Sequence, residues 1–137
     1  PPGGGTTDYA IAIFHSALKG EAYSCFLEAQ QSLPMIYMPD AIRATISLMD
    51  APAEKVKIRS SYNVSGMSFN PQELTSEITK NLPNFQVHYA PDSRQAIAAS
   101  WPQSLNDEAA YQDWGWKAEI DLNALVTDML KNVRVTN

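Results

Sequence analysis

One cysteine, Cys25, and two histidines, His15 and His88, are the only thiol and imidazole groups in 137 residues. A lone cysteine excludes an internal disulfide framework, so nothing in the chain demands an oxidising compartment. Three such residues far apart in sequence do not assemble a zinc site, and no metal is expected. Positive charge is also scarce: 10 Lys and Arg face 15 Asp and Glu, a net charge of -5, with no basic run. Nucleic acid and anionic membrane surfaces are therefore poor partners. No apolar stretch approaches the ~20 residues of a membrane-spanning helix. The chain has no Ser-His-Asp order, no Gly-x-Ser-x-Gly elbow, no Gly-Lys-Ser/Thr phosphate loop and no dinucleotide fingerprint. Catalytic machinery is what it lacks.

What is present is a folding composition, 45% apolar and 18% charged, enough for one domain spanning residues 1–137. Strands alternate with helices along it. Tyr9, Ile13, Phe14 and Ala17 recur at helical spacing after Thr6 or Thr7 as a cap, and Gly20 stops the run. Residues 22–27 read as a strand, and the nearly all-apolar 33–38 as a second one covered on both faces. Asp40 reads as the cap of a helix carrying Ile42, Ile46, Leu48 and Met49, closed at Ala51-Pro52. Residues 60–66 read as a short strand running into a glycine turn. Asn70-Pro71-Gln72-Glu73 is a strong helix start, with Leu74, Ile78 and Leu82 inward and Pro83 after them. A half-buried strand follows over 85–89, then helices over 92–100 and 107–114 and a last one from Asp121.

This order predicts an α/β arrangement with parallel strands. About four strands are visible, and their apolar composition requires neighbours on both edges. Together with the opening Pro1-Pro2-Gly3-Gly4-Gly5, which lacks an initiator Met, it predicts that the chain starts within a larger protein.

The segment Gly3-Gly4-Gly5-Thr6-Thr7, feeding a helix, is the most suggestive feature for chemistry. Amides at a helix start and two hydroxyls suit a carboxylate or phosphate, and glycine admits a ligand close to the backbone. The same residues also read as a plain loop with a threonine cap, and the residues alone leave both readings open. Trp101 beside Pro102 ends a helix where an aromatic side chain can close over a small ligand or simply pack. Trp114 and Trp116 around Gly115 read as packing, and Cys25 as a small core residue.

Several segments together resemble the C-terminal part of an extended short-chain dehydrogenase/reductase. They are Leu33-Pro34-Met35-Ile36-Tyr37-Met38-Pro39-Asp40-Ala41-Ile42-Arg43-Ala44, Tyr62-Asn63-Val64-Ser65-Gly66, and Asp113-Trp114-Gly115-Trp116-Lys117 before Asp121-Leu122. Pro2-Gly3-Gly4-Gly5-Thr6-Thr7-Asp8-Tyr9-Ala10, Met49-Asp50-Ala51-Pro52-Ala53-Glu54 and Ala99-Ser100-Trp101-Pro102 are similar to one branch, the NAD-dependent L-threonine 3-dehydrogenases. The likeness covers essentially all of the chain, with one departure: Ser32 stands where that branch often has Arg.

The resemblance implies an α/β fold, the C-terminal portion of an extended, Rossmann-like, NAD-binding fold with its remaining sheet strands and a small helical substrate domain. It implies a substrate-binding half that takes the carboxylate and amine of L-threonine on Gly5, Thr6 and Thr7 under an aromatic wall at Trp101. NAD is expected on an N-terminal Rossmann half, with the family's catalytic Tyr-x-x-x-Lys pair. No catalytic, cofactor-binding or metal residue is therefore assigned in this chain. A homodimer is implied, in the bacterial cytoplasm or, alternatively, the mitochondrial matrix. The rival readings are a sugar-nucleotide epimerase or dehydratase, and a noncatalytic small-molecule-binding remnant.

Overall fold

The computed structural model describes residues 4–134. They form six helices and four three-residue strands, an α/β arrangement of small sheets. Helix α1 (Tyr9–Lys19) buries Tyr9, Ile13, Phe14 and Ala17, the four positions its apolar spacing predicts. Gly20 ends it at φ 70, a left-handed conformation, and donates its amide to the Ala17 carbonyl at 3.1 Å. Strand β1 (Tyr23–Cys25) follows, then β2 (Leu33–Met35) and helix α2 (Met38–Asp50). Strand β3 (Met67–Phe69), helix α3 (Pro71–Asn81), strand β4 (Val87–Tyr89) and helices α4 (Ser93–Ala99), α5 (Glu108–Trp114) and α6 (Leu122–Asn132) complete the order.

The strands make two separate pairs. β1 and β4 run parallel, with Tyr23 opposite Val87 and Cys25 opposite Tyr89. β2 and β3 run antiparallel, with Leu33 opposite Phe69 and Met35 opposite Met67. The expectation of parallel strands throughout is thus half right: local pattern marks a strand, but its direction is set by a partner more than thirty residues away. The expected strand over 60–66 is also corrected. Residues 61–66 are outside any sheet, and the ladder forms over the next three residues, where Leu33 to Met35 lie within reach. Gly66 lies against that ladder so closely that a Cβ would stand 2.8 Å from the Met35 carbonyl oxygen and 2.9 Å from the Ile36 Cα.

Two clusters hold the chain together. The main core joins α1, β1, β2, α3 and α6 through Tyr9, Ile13, Phe14, Leu27, Leu33, Leu74, Ile78 and Val126, each wholly buried. Each large side chain buried there contributes about 1.5–3 kcal/mol of transfer free energy. α3 enters this core on a complete capping box. The Asn70 side chain accepts from the Glu73 amide and the Glu73 carboxylate from the Asn70 amide, both at 2.9 Å. The minor cluster is Ala44, Ala110 and Trp116, with Ile36, Tyr62, Val64, Trp114 and Ala118 around them.

Helix α2 departs most from expectation. Asp40 does not cap it: the helix starts at Met38, and Tyr37 precedes it in an extended conformation. Asp40 lies in the first turn, almost wholly buried, and its carboxylate accepts from the Glu119 and Ile120 amides at 3.0 Å each and from the Arg43 guanidinium at 2.8 Å. It closes a distant loop rather than its own helix. Of the thirteen residues of α2 only Asp40 and Ala44 are buried, and Ile42, Ile46 and Met49 face outward. None of the described helices is long and apolar enough to cross a membrane.

Candidate functional site

The loop before α1 is built by its glycines and by Asp8. Gly4 has φ 81, a turn that a side chain would strain. Asp8 occupies the N-cap position in helical conformation without capping a helical amide. Its carboxylate reaches back instead to accept from the Gly5 amide at 2.8 Å, and its own amide donates to the Gly5 carbonyl at 3.2 Å. The expected threonine cap is therefore replaced by an aspartate loop closure. Among the described residues nothing accepts from the Thr6 or Thr7 amides, and neither hydroxyl makes a hydrogen bond. Thr6 is buried and Thr7 half-buried. The loop thus offers two amides and two hydroxyls, while the third amide is already engaged by a carboxylate.

Asp8 of the loop lies within electrostatic range of Arg94 at the start of α4. Asp92 caps that helix by accepting from the Arg94 amide at 2.8 Å, and its carboxylate also grips the Arg94 guanidinium at 2.5 Å. The Asp92 pairing raises the Arg94 pKa, with smaller contributions from Tyr23 and from Asp8 of the loop. The guanidinium covers the Phe26 ring at 3.2 Å. Trp101 stands just past the other end of α4, 44% exposed, its amide bonded to the Ala98 carbonyl at 3.1 Å. Seven residues of helical rise put about 10 Å between Arg94 and Trp101 along the helix. Gly5, Thr6, Thr7 and Trp101 therefore flank α4 from its two ends.

Four clefts of about 350, 520, 500 and 430 Å³ open among the described residues. The first lies between the end of α1 and Leu82 to Gln86, the second beside Asn70, Glu73 and Glu77. The third runs between Gly66, Tyr111 and Trp116, the fourth between Asp50, Lys55 and Trp114. None has Gly5, Thr6, Thr7 or Trp101 in its wall.

The other reactive groups serve structure. Cys25 is buried, and desolvation pushes its thiol up, away from a nucleophilic thiolate. Asp113 accepts from the Tyr62 hydroxyl at 2.7 Å and pairs with Lys57 at 3.0 Å, which hold its carboxyl below the ordinary range. Burial pushes the Asp40 carboxyl up, but the Arg43 bond and the Ile120 and Glu119 amides outweigh it and leave it lowered. Trp114 and Trp116 pack as expected, at 6.1 Å between centroids, and the Trp116 indole N–H reaches both the Ser65 carbonyl and Asp107. No group of three His, Cys, Asp or Glu among the described residues could hold a metal ion.

The parallel strand pair does not present a dinucleotide-binding turn. Of the parallel strands, β4 leads into a helix start, but through Ala90-Pro91-Asp92 rather than a glycine-rich turn. The Asp92 carboxylate already fills that helix start, where a dinucleotide's pyrophosphate would have to lie.

No protein-family profile matches the chain. The mitochondrial L-threonine 3-dehydrogenase of Bos taurus is 52% identical over 130 residues, which are 94% of this chain and 35% of that protein. An uncharacterized epimerase/dehydratase of Staphylococcus haemolyticus is 41% identical over 133 residues, 96% of this chain and 42% of that protein. The solved GalE-like L-threonine dehydrogenase of Cupriavidus necator, in its apo form, superposes with a TM-score of 0.94 at 57% identity, over 98% of this chain and 48% of that one. The chain thus spans about a third to a half of the length of the relatives it matches.

Proposed function

We propose that this chain, which is similar over nearly its whole length to the C-terminal part of L-threonine 3-dehydrogenases, is the substrate-binding half of such an enzyme, in the GalE-like extended short-chain dehydrogenase/reductase family. The whole enzyme oxidises the hydroxyl of L-threonine to give 2-amino-3-oxobutyrate, passing hydride to NAD and releasing a proton. NAD is bound mainly by the Rossmann half, which also carries the catalytic groups; in this chain the one helix start that follows a parallel strand is filled by the Asp92 carboxylate. The enzyme works as a homodimer.

One observation carries the substrate reading. The threonine loop keeps two amides and two hydroxyls unengaged, within electrostatic range of Arg94, in a chain 57% identical to a threonine dehydrogenase. The amides suit the amino acid's carboxylate and the hydroxyls its ammonium, while Trp101 walls the pocket from the far end of α4. The other half of the enzyme completes the wall of this pocket.

The sugar-nucleotide alternative draws support from the staphylococcal relative's printed name. A diphosphate is best held by free arginines, and those at positions 43, 59 and 94 are engaged. Arg43 is held by Asp40 and Glu119, Arg94 by Asp92, and Arg59 by the Ala53 carbonyl. In the complete enzyme, L-threonine and L-serine are followed by the NADH they produce, and a nucleotide-sugar by its epimerised or dehydrated product, because those conversions return the hydride and leave NAD unchanged. Threonine alone should give robust turnover, and conversion of the nucleotide-sugar with no NADH from threonine would overturn the assignment. Thr6→Ala and Trp101→Ala should each raise KM for threonine about tenfold or more, a loss of ~1.4 kcal/mol in binding.

A further inference from the structure

Three helix starts in this chain are closed forwards. Asn70, Asp92 and Asp121 stand before their helices in extended conformation, and each side chain accepts from an amide two or three residues on. Asp8 works in the other direction. It stands before α1 at φ -64 and ψ -17, already helical, and takes no amide of the first turn. Its carboxylate accepts instead from the Gly5 amide at 2.8 Å, while its own amide donates to the Gly5 carbonyl at 3.2 Å. Two hydrogen bonds between the same two residues close a ring around Thr6 and Thr7.

Gly5 is fitted to this ring. Its φ lies outside the left-handed region, so its backbone conformation is one that any residue adopts. What glycine supplies here is space. A Cβ at this position would stand 3.0 Å from Oδ1 of Asp8 and 3.4 Å from its Cγ, and the three nearest heavy atoms all belong to that carboxylate. Gly5 and Asp8 are therefore one device. What it holds is the unengaged side of the loop. The Thr6 and Thr7 amides have no acceptor among the described residues, and the Thr6 hydroxyl has no partner there although the residue is only 8% exposed. A loop fixed before its ligand arrives spares that ligand the entropy of ordering it.

Resting on the threonine reading above, we propose that Asp8 is a positioning residue for the substrate: by closing onto Gly5 it aims the Thr6 and Thr7 amides at the amino acid's carboxylate, without touching the substrate itself. Two consequences separate this role from a direct contact. The acceptor oxygen of Asp8 matters and its negative charge does not, because a carboxylate has the wrong sign for the group the amides receive. The effect falls on binding rather than on the chemical step, because hydride and proton transfer belong to the groups of the other half.

The test is steady-state kinetics of the complete enzyme at saturating NAD. Asp8→Ala should raise KM for L-threonine about tenfold and leave kcat within about twofold. Asp8→Asn keeps an acceptor for the Gly5 amide and should restore KM to within about threefold of the unsubstituted enzyme. Gly5→Ala drives the carboxylate away and should raise KM as Asp8→Ala does, and the double variant should be no worse than either alone, since both break the same ring. An unchanged KM for NAD shows that each variant folds. Asp8→Asn as impaired as Asp8→Ala overturns the proposal in favour of a charge that meets the substrate's ammonium. Additive losses from Gly5→Ala and Asp8→Ala also overturn it, as does a fall in kcat at constant KM. Amide hydrogen exchange at Gly5, followed without substrate, reads the ring by itself: it should be several-fold faster in Asp8→Ala than in Asp8→Asn. Equal exchange in the two overturns the ring, whatever the turnover. Unequal exchange in an enzyme that makes no NADH from threonine upholds the ring and overturns the function.

Discussion

The two clusters of this molecule are built on opposite principles. The main core takes Tyr9, Ile13 and Phe14 of α1 and Leu74 and Ile78 of α3 inward, and each helix carries its own stop or cap: Gly20 after α1, the Asn70–Glu73 box before α3. Around α2 the order is reversed. The buried group is a carboxylate, the apolar groups face out, and the supports are polar: Asp40 to two amides, Arg43 over the Trp116 ring at 4.8 Å, Asp113 to Tyr62 and Lys57. A region closed on itself stores its stability in packing. A region whose apolar groups face outward secures its shape with directional bonds.

The sharpest way to break this contrast is to hollow the main core. Phe14→Ala should lower the unfolding free energy by about 3–5 kcal/mol, read by urea denaturation. Next comes the polar support: Asp40→Ala strands the Glu119 and Ile120 amides and leaves Arg43 without its buried partner, which should cost about 3 kcal/mol. At the small end, Ile46→Ser in the 137-residue chain should shift stability by no more than about 0.5 kcal/mol, because the side chain is already in water. A loss near that of Phe14→Ala would erase the distinction between the two regions.

Acid sharpens the same comparison. Asp40 and Asp113 are both held below the ordinary carboxylate range in the folded chain. The unfolded chain therefore takes up protons first. Their stabilisation is complete above the unfolded value of about 4 and is lost as pH falls through the lower folded values. Both belong to the α2 region, so that region should loosen first below about pH 4. Emission from Trp114 and Trp116 should change before the amides of α1 and α3 lose protection.

The helix ends were legible because their signals are local. Asn70-Pro71-Glu73 and Gly20 act within four residues, and each acts as read; Asp92 and Asp121, read only as the first residues of helices, cap them. Asp40 misled because a carboxylate in a first turn looks the same whether it serves its own helix or amides 79 and 80 residues away. Residues 61–66 misled for a related reason: a strand exists only where a partner does, and the sequence signals the strand without the partner. The threonine loop stands out in the sequence by its glycines and hydroxyls, but the reach of Asp8 back to Gly5 depends on a side-chain rotamer that composition does not express.

Gly66 has a consequence of its own. A single added carbon at that position would collide with the main chain on either side of the Met35–Ile36 bond, and that stretch leads directly into α2. The gap between residues 61–66 and that stretch is therefore calibrated by a missing methyl. Any substitution would wedge the two apart and spoil their alignment.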